Sequence, residues 1–388
     1  MGPFLTTLAS RYGFSSLRCR RITLFCILFL VAALFSQGAE AQEKITTVNN
    51  PALKRLLYQR QEYDGHGLRY SDIYVLELPS HKNRLFVKGG EDPAWSPHQT
   101  KVAYLQFLWE ESVDNRLFHR ERGLIKDRQI RVVNADGSDD RTLTSARFGI
   151  GGFAWSSVRD EIAYFENPKL DGHAMIVRIN ADGSERKEIT SLLDMRCRNL
   201  ADEDTPTWSP DGEKLAFTGC AEGRPVVVVI GRNGENPQAV GKGYGPLWSP
   251  DGKRLAFRHE SEMSPTATSL WVANADGNEP HKILDGEGAQ FGLAFSPDEK
   301  SIVFGSKRNN KHWSEIFRVN VDGSGLETVA RRGGLKLSDP TFSPDGKVLI
   351  LNSRVFPNDD GVWQVELLSR RLIRLTSGMY GGVVWDNR

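Results

Sequence analysis

The residue types that could do chemistry are present in this chain, but they are not spaced to do it. Eight histidines, His66, His81, His98, His119, His173, His259, His281 and His312, stand singly and far apart. Zinc sites usually draw ligands in close pairs, so no metal is expected, and nothing calls for another cofactor. Neither a G-x-S-x-G elbow nor an H-E-x-x-H helix occurs, which leaves no nucleophile placed beside a base and no catalytic residue to nominate. Four Asn-x-Asp-Gly segments, ending at Gly137, Gly183, Gly277 and Gly323, lack the alternating carboxylates and terminal Glu of a calcium loop and read as turns.

What remains is a set of residues suited to binding, and the elements that position them form a repeat. Seven segments align on an aromatic residue: Trp95, Trp155, Trp208, Trp248, Phe295, Phe342 and Trp385, at steps of 60, 53, 40, 47, 47 and 43 residues. Several continue as Ser-Pro-Asp-Gly, where Pro presets φ, Asp bonds forward to the backbone and Gly takes positive φ. A strand-like run follows each of the first six, such as Leu215-Ala216-Phe217 and Leu255-Ala256-Phe257, then a third run that in four repeats ends at Asp-Gly, then a fourth. Apolar runs bounded by such turns are strands joined as hairpins.

The two ends complement each other. Residues 53–88 supply second-, third- and fourth-type strands with no aromatic turn before them, and Gly382–Asp386 supplies a first-type strand with nothing after it. The expected fold is therefore all-β: a seven-bladed β-propeller of four-stranded blades, closed by the C-terminal inner strand joining the N-terminal three-stranded blade. Such a clasp leaves no open edge; six or eight blades are the alternatives.

Residues 1–41 read as a signal peptide. Arg11, Arg18, Arg20 and Arg21 precede the apolar run from Ile22 to Phe35, and Ala39-Glu40-Ala41 is an A-x-A cleavage pattern. Fourteen residues are short for a membrane span, so cleavage after Ala41 is expected over an uncleaved anchor. A short linker, 42–52, then leads to the propeller, 53–388. The mature chain keeps 46 basic and 48 acidic side chains, a formal charge of −2. Without a basic excess nucleic acid is not an expected partner. Two cysteines remain, Cys197 and Cys220, and in an oxidising compartment an even pair suggests one disulfide, against two buried thiols.

The Trp-Ser-Pro-Asp-Gly-x-x-Leu-Ala-Phe pattern, followed by Ala-Asp-Gly-Ser and Leu-Thr, resembles the repeats of the TolB-type, WD-like propeller family, and the resemblance covers residues 53–388. It implies a periplasmic scaffold that binds envelope proteins. The family's type member places an α/β domain before six blades, whereas here about a dozen residues separate the expected cleavage site from the first strand. Similar repeats form the gating propeller of prolyl-oligopeptidase-type enzymes, and some seven-bladed polysaccharide lyases assemble a metal site from distant histidines.

In a propeller the blade-to-blade connections and the loops between second and third strands emerge on one face, where binding residues collect on a rigid frame. Here those connections are the long ones: Glu62–Ser71, Gln106–Arg128, Ser191–Asp204, Glu260–Thr268, Lys307–Trp313 and Arg354–Gly361. The candidate ligand- or partner-binding residues are Trp109, Glu110, Arg122, Trp313 and Arg354 on the loops, with Asp92, Asp204, Tyr244, Asp339 and Tyr380 ahead of the inner strands, at the channel mouth. They point to a monomeric, periplasmic or secreted binding scaffold for an envelope protein, a peptide or an oligosaccharide, without a stable membrane span once the signal is removed. The alternative is a carbohydrate-active enzyme, lyase or hydrolase, with its site in the funnel.

Overall fold

The computed structural model describes residues 55–385, apart from 64–68, 79, 110–124, 147–148, 168–172, 191–192, 195–204, 262–263, 286–290, 308–313, 355–360 and 377–378. All belong to the unit running from Val48 to Arg388. The expected signal peptide and linker lie outside the described residues.

Seven antiparallel sheets form seven blades. Blade 1 is the clasp: Met379–Trp385 lies innermost, then Arg55–Tyr63, Arg69–Glu77 and Lys82–Val87. Blade 2 runs outward through Gly90–Trp95, Lys101–Trp109, Ile125–Asn134 and Arg141–Ala146. Blade 3 has Ile150–Trp155, Glu161–Glu166, His173–Asn180 and Lys187–Glu188, with Leu193–Asp194 added beside the third strand. Blade 4 is Thr207–Trp208, Lys214–Ala221, Arg224–Gly231 and Gln238–Lys242. Blade 5 is Tyr244–Trp248, Arg254–Ser261, Ser264–Asn274 and His281–Leu284. Blade 6 is Phe291–Phe295, Ser301–Ser306, Glu315–Asn320 and Glu327–Ala330. Blade 7 is Lys336–Phe342, Val348–Arg354, Gly361–Glu366 and Arg371–Arg374.

Closure is visible twice. In blade 1, Leu56, Leu57 and Tyr58 pair with Trp385, Val384 and Val383. Among the described residues the core also divides into seven apolar clusters, one at each blade junction. The junction that seals the ring packs Val348, Ile350 and Val362 of blade 7 on Leu56, Tyr58 and Leu76 of blade 1. Second strands are buried on both sides, as Ser301–Ser306 is throughout, which is why they read as near-continuous apolar runs. The repeat aromatics are the wedges: Trp208 and Trp248 are buried, and their indole N–H groups donate to Ala154 O at 3.2 Å and Thr207 O at 3.1 Å on the preceding inner strand. Burying each such aromatic contributes on the order of 2–3 kcal/mol.

The turns form as their residues dictate. In Ser209–Gly212 the glycine sits at φ +68°, its N–H donates to Ser209 O, and Asp211 Oδ1 accepts from both the Ser209 hydroxyl and the Glu213 N–H. The Asp-Gly turns close the same way, with Gly137 N–H donating to Asn134 O and Ser138 capping Asp136. Blade 4 makes this turn with Asn233-Gly234 in place of Asp-Gly. These Asp side chains are engaged within their own turns, as the turn reading requires.

Candidate functional site

The loop-rich face differs from expectation in how far its strands run. Gln106–Arg128 is not one loop, because blade 2 keeps pairing to Trp109↔Ile125. Glu62–Ser71 and Glu260–Thr268 likewise enter strands, with Glu62↔Tyr70 and Glu260↔Thr268 in register. The polar stretches Glu62–Ser71 and Glu260–Thr268 hide their pairing because solvated hairpin arms need no apolar alternation. Trp109 and Arg354 are therefore strand residues. Between second and third strands of blade 4 the turn is minimal: Glu222 and Gly223 both take positive φ, at 52° and 73°, the two-residue hairpin form.

The channel-mouth residues do not precede the inner strands: Asp92, Asp339 and Tyr380 lie inside them, and Tyr244 opens its own. The reason is a recurring bulge three residues before the wedge aromatic. Pairing slips between Glu91 and Ala94, Ser338 and Thr341, Tyr244 and Leu247, and Phe291 and Leu293. The bulge residue has φ of +50° at Asp92, +51° at Asp339, +61° at Gly245 and +50° at Gly292. Glycine takes that conformation freely, and Asp is among the few others that do. In blade 6, Gly292 is required by space as well: a Cβ there would lie 2.7 Å from the Asp339 Cα.

Both aspartates are exposed. Around Asp92 a network ties blade 1 to blade 2: Gln59 Nε2 donates to Ser71 Oγ, Ser71 donates to Glu91 Oε1, each at 3.0 Å, and the Asp92 N–H donates to Gln59 Oε1 at 3.2 Å. The surrounding protein withholds hydration from the carboxylates of Asp92 and Glu91 and raises both pKa values, a shift that nearby Arg128 moderates. Asp339 accepts from Ser338 Oγ at 2.9 Å. Tyr244 lies half-buried under Arg258, whose guanidinium stands 4.9 Å from the ring centroid.

Of the remaining candidates, Glu110, Arg122, Asp204 and Trp313 lie outside the described residues, as does Cys197. Cys220 is disulfide-bonded, and every other cysteine of the chain lies outside the described residues. Among the described residues no three His, Cys, Asp or Glu side chains converge as metal ligands.

Residues 204–381 match the TolB beta propeller domain. A Tol-Pal system protein TolB from Bordetella pertussis is 35% identical over 121 residues, which is 31% of this chain and 27% of that protein, so the match spans about a quarter of the curated relative's length. Among solved structures, the propeller domain of the Trilobed protease from Pyrococcus furiosus covers 83% of this chain and 94% of its own at a TM-score of 0.58 and 13% identity. An oligogalacturonate lyase from Vibrio parahaemolyticus covers 77% and 88% at 0.54 and 12%. At those identities the likeness is one of fold. Residues 204–381, blades 4 to 7, thus carry repeats of the TolB beta propeller type, and blades 1 to 3 continue the same strand order.

Proposed function

We propose that the protein is an exported, non-enzymatic scaffold, located in the periplasm, that binds an envelope protein or peptide through its loop-rich face. The observation that carries this reading is the contrast between the two faces. On the turn face, carboxylates such as Asp211, Asp251 and Asp298 are tied to serine hydroxyls of their own turns. On the other face Asp92 stands exposed at positive φ on the innermost strand of blade 2, beside hairpin arms of unequal length. Asp92, Tyr244 and Asp339 are the proposed centre of the surface. Trp109, Glu110, Arg122, Asp204, Trp313, Arg354 and Tyr380 extend it. The Bordetella relative, named as a Tol-Pal system protein, supports an envelope partner.

Site-specific photo-crosslinking in the native host tests this. A benzophenone amino acid at Tyr244 should yield a discrete adduct with an envelope protein, and the same group at Leu368, on a turn-face tip, should not. Adducts from Leu368 alone, or none from the loop-rich face, would overturn the reading. Metal-dependent turnover of uronate oligosaccharides by the purified protein would replace it with a carbohydrate-active enzyme.

A further inference from the structure

Arginines on the loop-rich face share one arrangement. Arg60 stands 5.6 Å from the centroid of Tyr74, Arg128 stands 4.4 Å from Phe107, and Arg332 stands 4.6 Å from Trp363. The aromatics are themselves fixed. Tyr74 stacks on buried Tyr58 at 5.6 Å, and Trp363, 1% exposed, donates from Nε1 to Ser353 Oγ at 2.8 Å. Arg374 approaches the same indole at 5.7 Å, so two guanidinium groups share one ring. Arg332 is exposed, and among the described residues no carboxylate pairs with it.

A guanidinium lying on an aromatic face keeps its in-plane N–H donors directed outward. Its rotamer freedom is already restricted, so binding a carboxylate costs less ordering than for a free arginine. We propose that Arg332, stacked on Trp363, is a carboxylate anchor for an acidic segment of the partner protein. This deepens the scaffold reading and rests on it. A polyuronate is a poorer fit, because Asp92 and Asp339 on the inner strands place negative charge at the channel mouth. A chain charged on every sugar meets repulsion there, whereas a protein loop can carry acidic flanks and a basic tip. The surface thus selects a bipolar segment, acidic at the rim and basic at the centre.

Fluorescence anisotropy with the intact mature protein tests the pattern. The probes are labelled peptides with acidic flanks around a central lysine, acidic flanks around a central glycine, and basic flanks around a central glutamate, with polygalacturonate as competitor. The lysine-centred peptide should bind tightest, and both acidic-flanked peptides should weaken as salt rises. Arg332→Ala should lower affinity for both acidic-flanked peptides about five- to tenfold, the loss of one charge-assisted contact. Arg332→Lys, which keeps charge but not the planar fork, should lose about two- to threefold. Asp92→Asn should erase the preference for lysine and leave the glycine-centred peptide unaffected. Equal or tighter binding of the basic-flanked peptide, or competition by polygalacturonate as strong as that of the acidic-flanked peptides, would overturn the proposal. So would an Arg332→Ala protein of unchanged melting temperature and unchanged affinity. If Tyr244 crosslinks a partner whose capture ignores both salt and Arg332→Ala, the charge pattern falls and the scaffold stands. If the peptides discriminate as described but no crosslink forms, the scaffold reading falls alone.

Discussion

Glu161 is a buried joint between blades 3 and 4 that a single substitution can test. It opens the second strand of blade 3 and accepts from Arg178 Nη1 of the same blade at 2.7 Å and from Arg232 Nε of blade 4 at 2.8 Å, with a second contact from Arg232. The Glu161 and Arg178 side chains are each 5% exposed and Arg232 is 22% exposed. Burial alone would raise the Glu161 pKa, but the Arg232 hydrogen bond and the two guanidinium charges outweigh it and hold the pKa below its ordinary value. Glu161→Gln leaves Arg178 buried beside a neutral group, a loss of roughly 3–5 kcal/mol for a fully buried pair. Arg232 can turn to water, and Glu185 lies 3.9 Å from Arg178 as a substitute, so about 2–4 kcal/mol is the working figure. For a domain of this size, with an unfolding entropy of roughly 2 cal/mol/K per residue, that lowers Tm by about 3–6 °C. Differential scanning calorimetry reads it directly. Because burial of the unpaired cation causes the loss, Glu161→Leu combined with Arg178→Leu should recover at least half. A Glu161→Gln protein that melts within 1 °C of the parent, or a double variant that recovers nothing, would refute the reasoning.

Acid sensitivity should follow the turns. Ser209 and the Glu213 N–H, and the equivalent groups at Asp251 and Asp298, depress these carboxyl pKa values. Their stabilisation is complete above the unfolded pKa near 3.9 and is lost as pH falls through the folded values. Melting temperatures should therefore hold from pH 7 to 5 and fall below about pH 4, less steeply in Asp211→Asn. Asp92 has the opposite sign: its raised pKa means that the charged form is disfavoured in the fold. Asp92→Asn, whose side chain tolerates positive φ, should leave stability at pH 7 unchanged or higher while weakening partner binding. Non-reducing digestion should return a Cys197–Cys220 cross-linked peptide, and reduction should cost about 3 kcal/mol for a loop of this length; a Cys220 peptide joined to another cysteine would contradict the assignment.

The ring was legible in the sequence because each blade repeats a large aromatic, a turn with demanding φ and an apolar run at fixed offsets, all fixed by local chemistry. The clasp was legible for the same reason, since an inner strand at one end answered its absence at the other. The arm around Glu260 was not, because pairing above the core leaves polar residues in strands. The bulge that sets Asp92 and Asp339 in the innermost strands does have a signal: in the six blades that show it, the third residue before the wedge is Asp or Gly, namely Gly382, Asp92, Gly152, Gly245, Gly292 and Asp339. Glu161 had none, since its partner Arg232 lies 71 residues away and meets it only once two blades stand side by side.

Hydrogen exchange of the intact protein bears most directly on the closed ring that holds the loop-rich face in place. Amides in the Met379–Trp385 strand should be protected to the same degree as those of Arg55–Tyr63, against which that strand pairs, because opening either requires the clasp to part. Exchange of the C-terminal strand within seconds, while the other blades stay protected, would contradict the account.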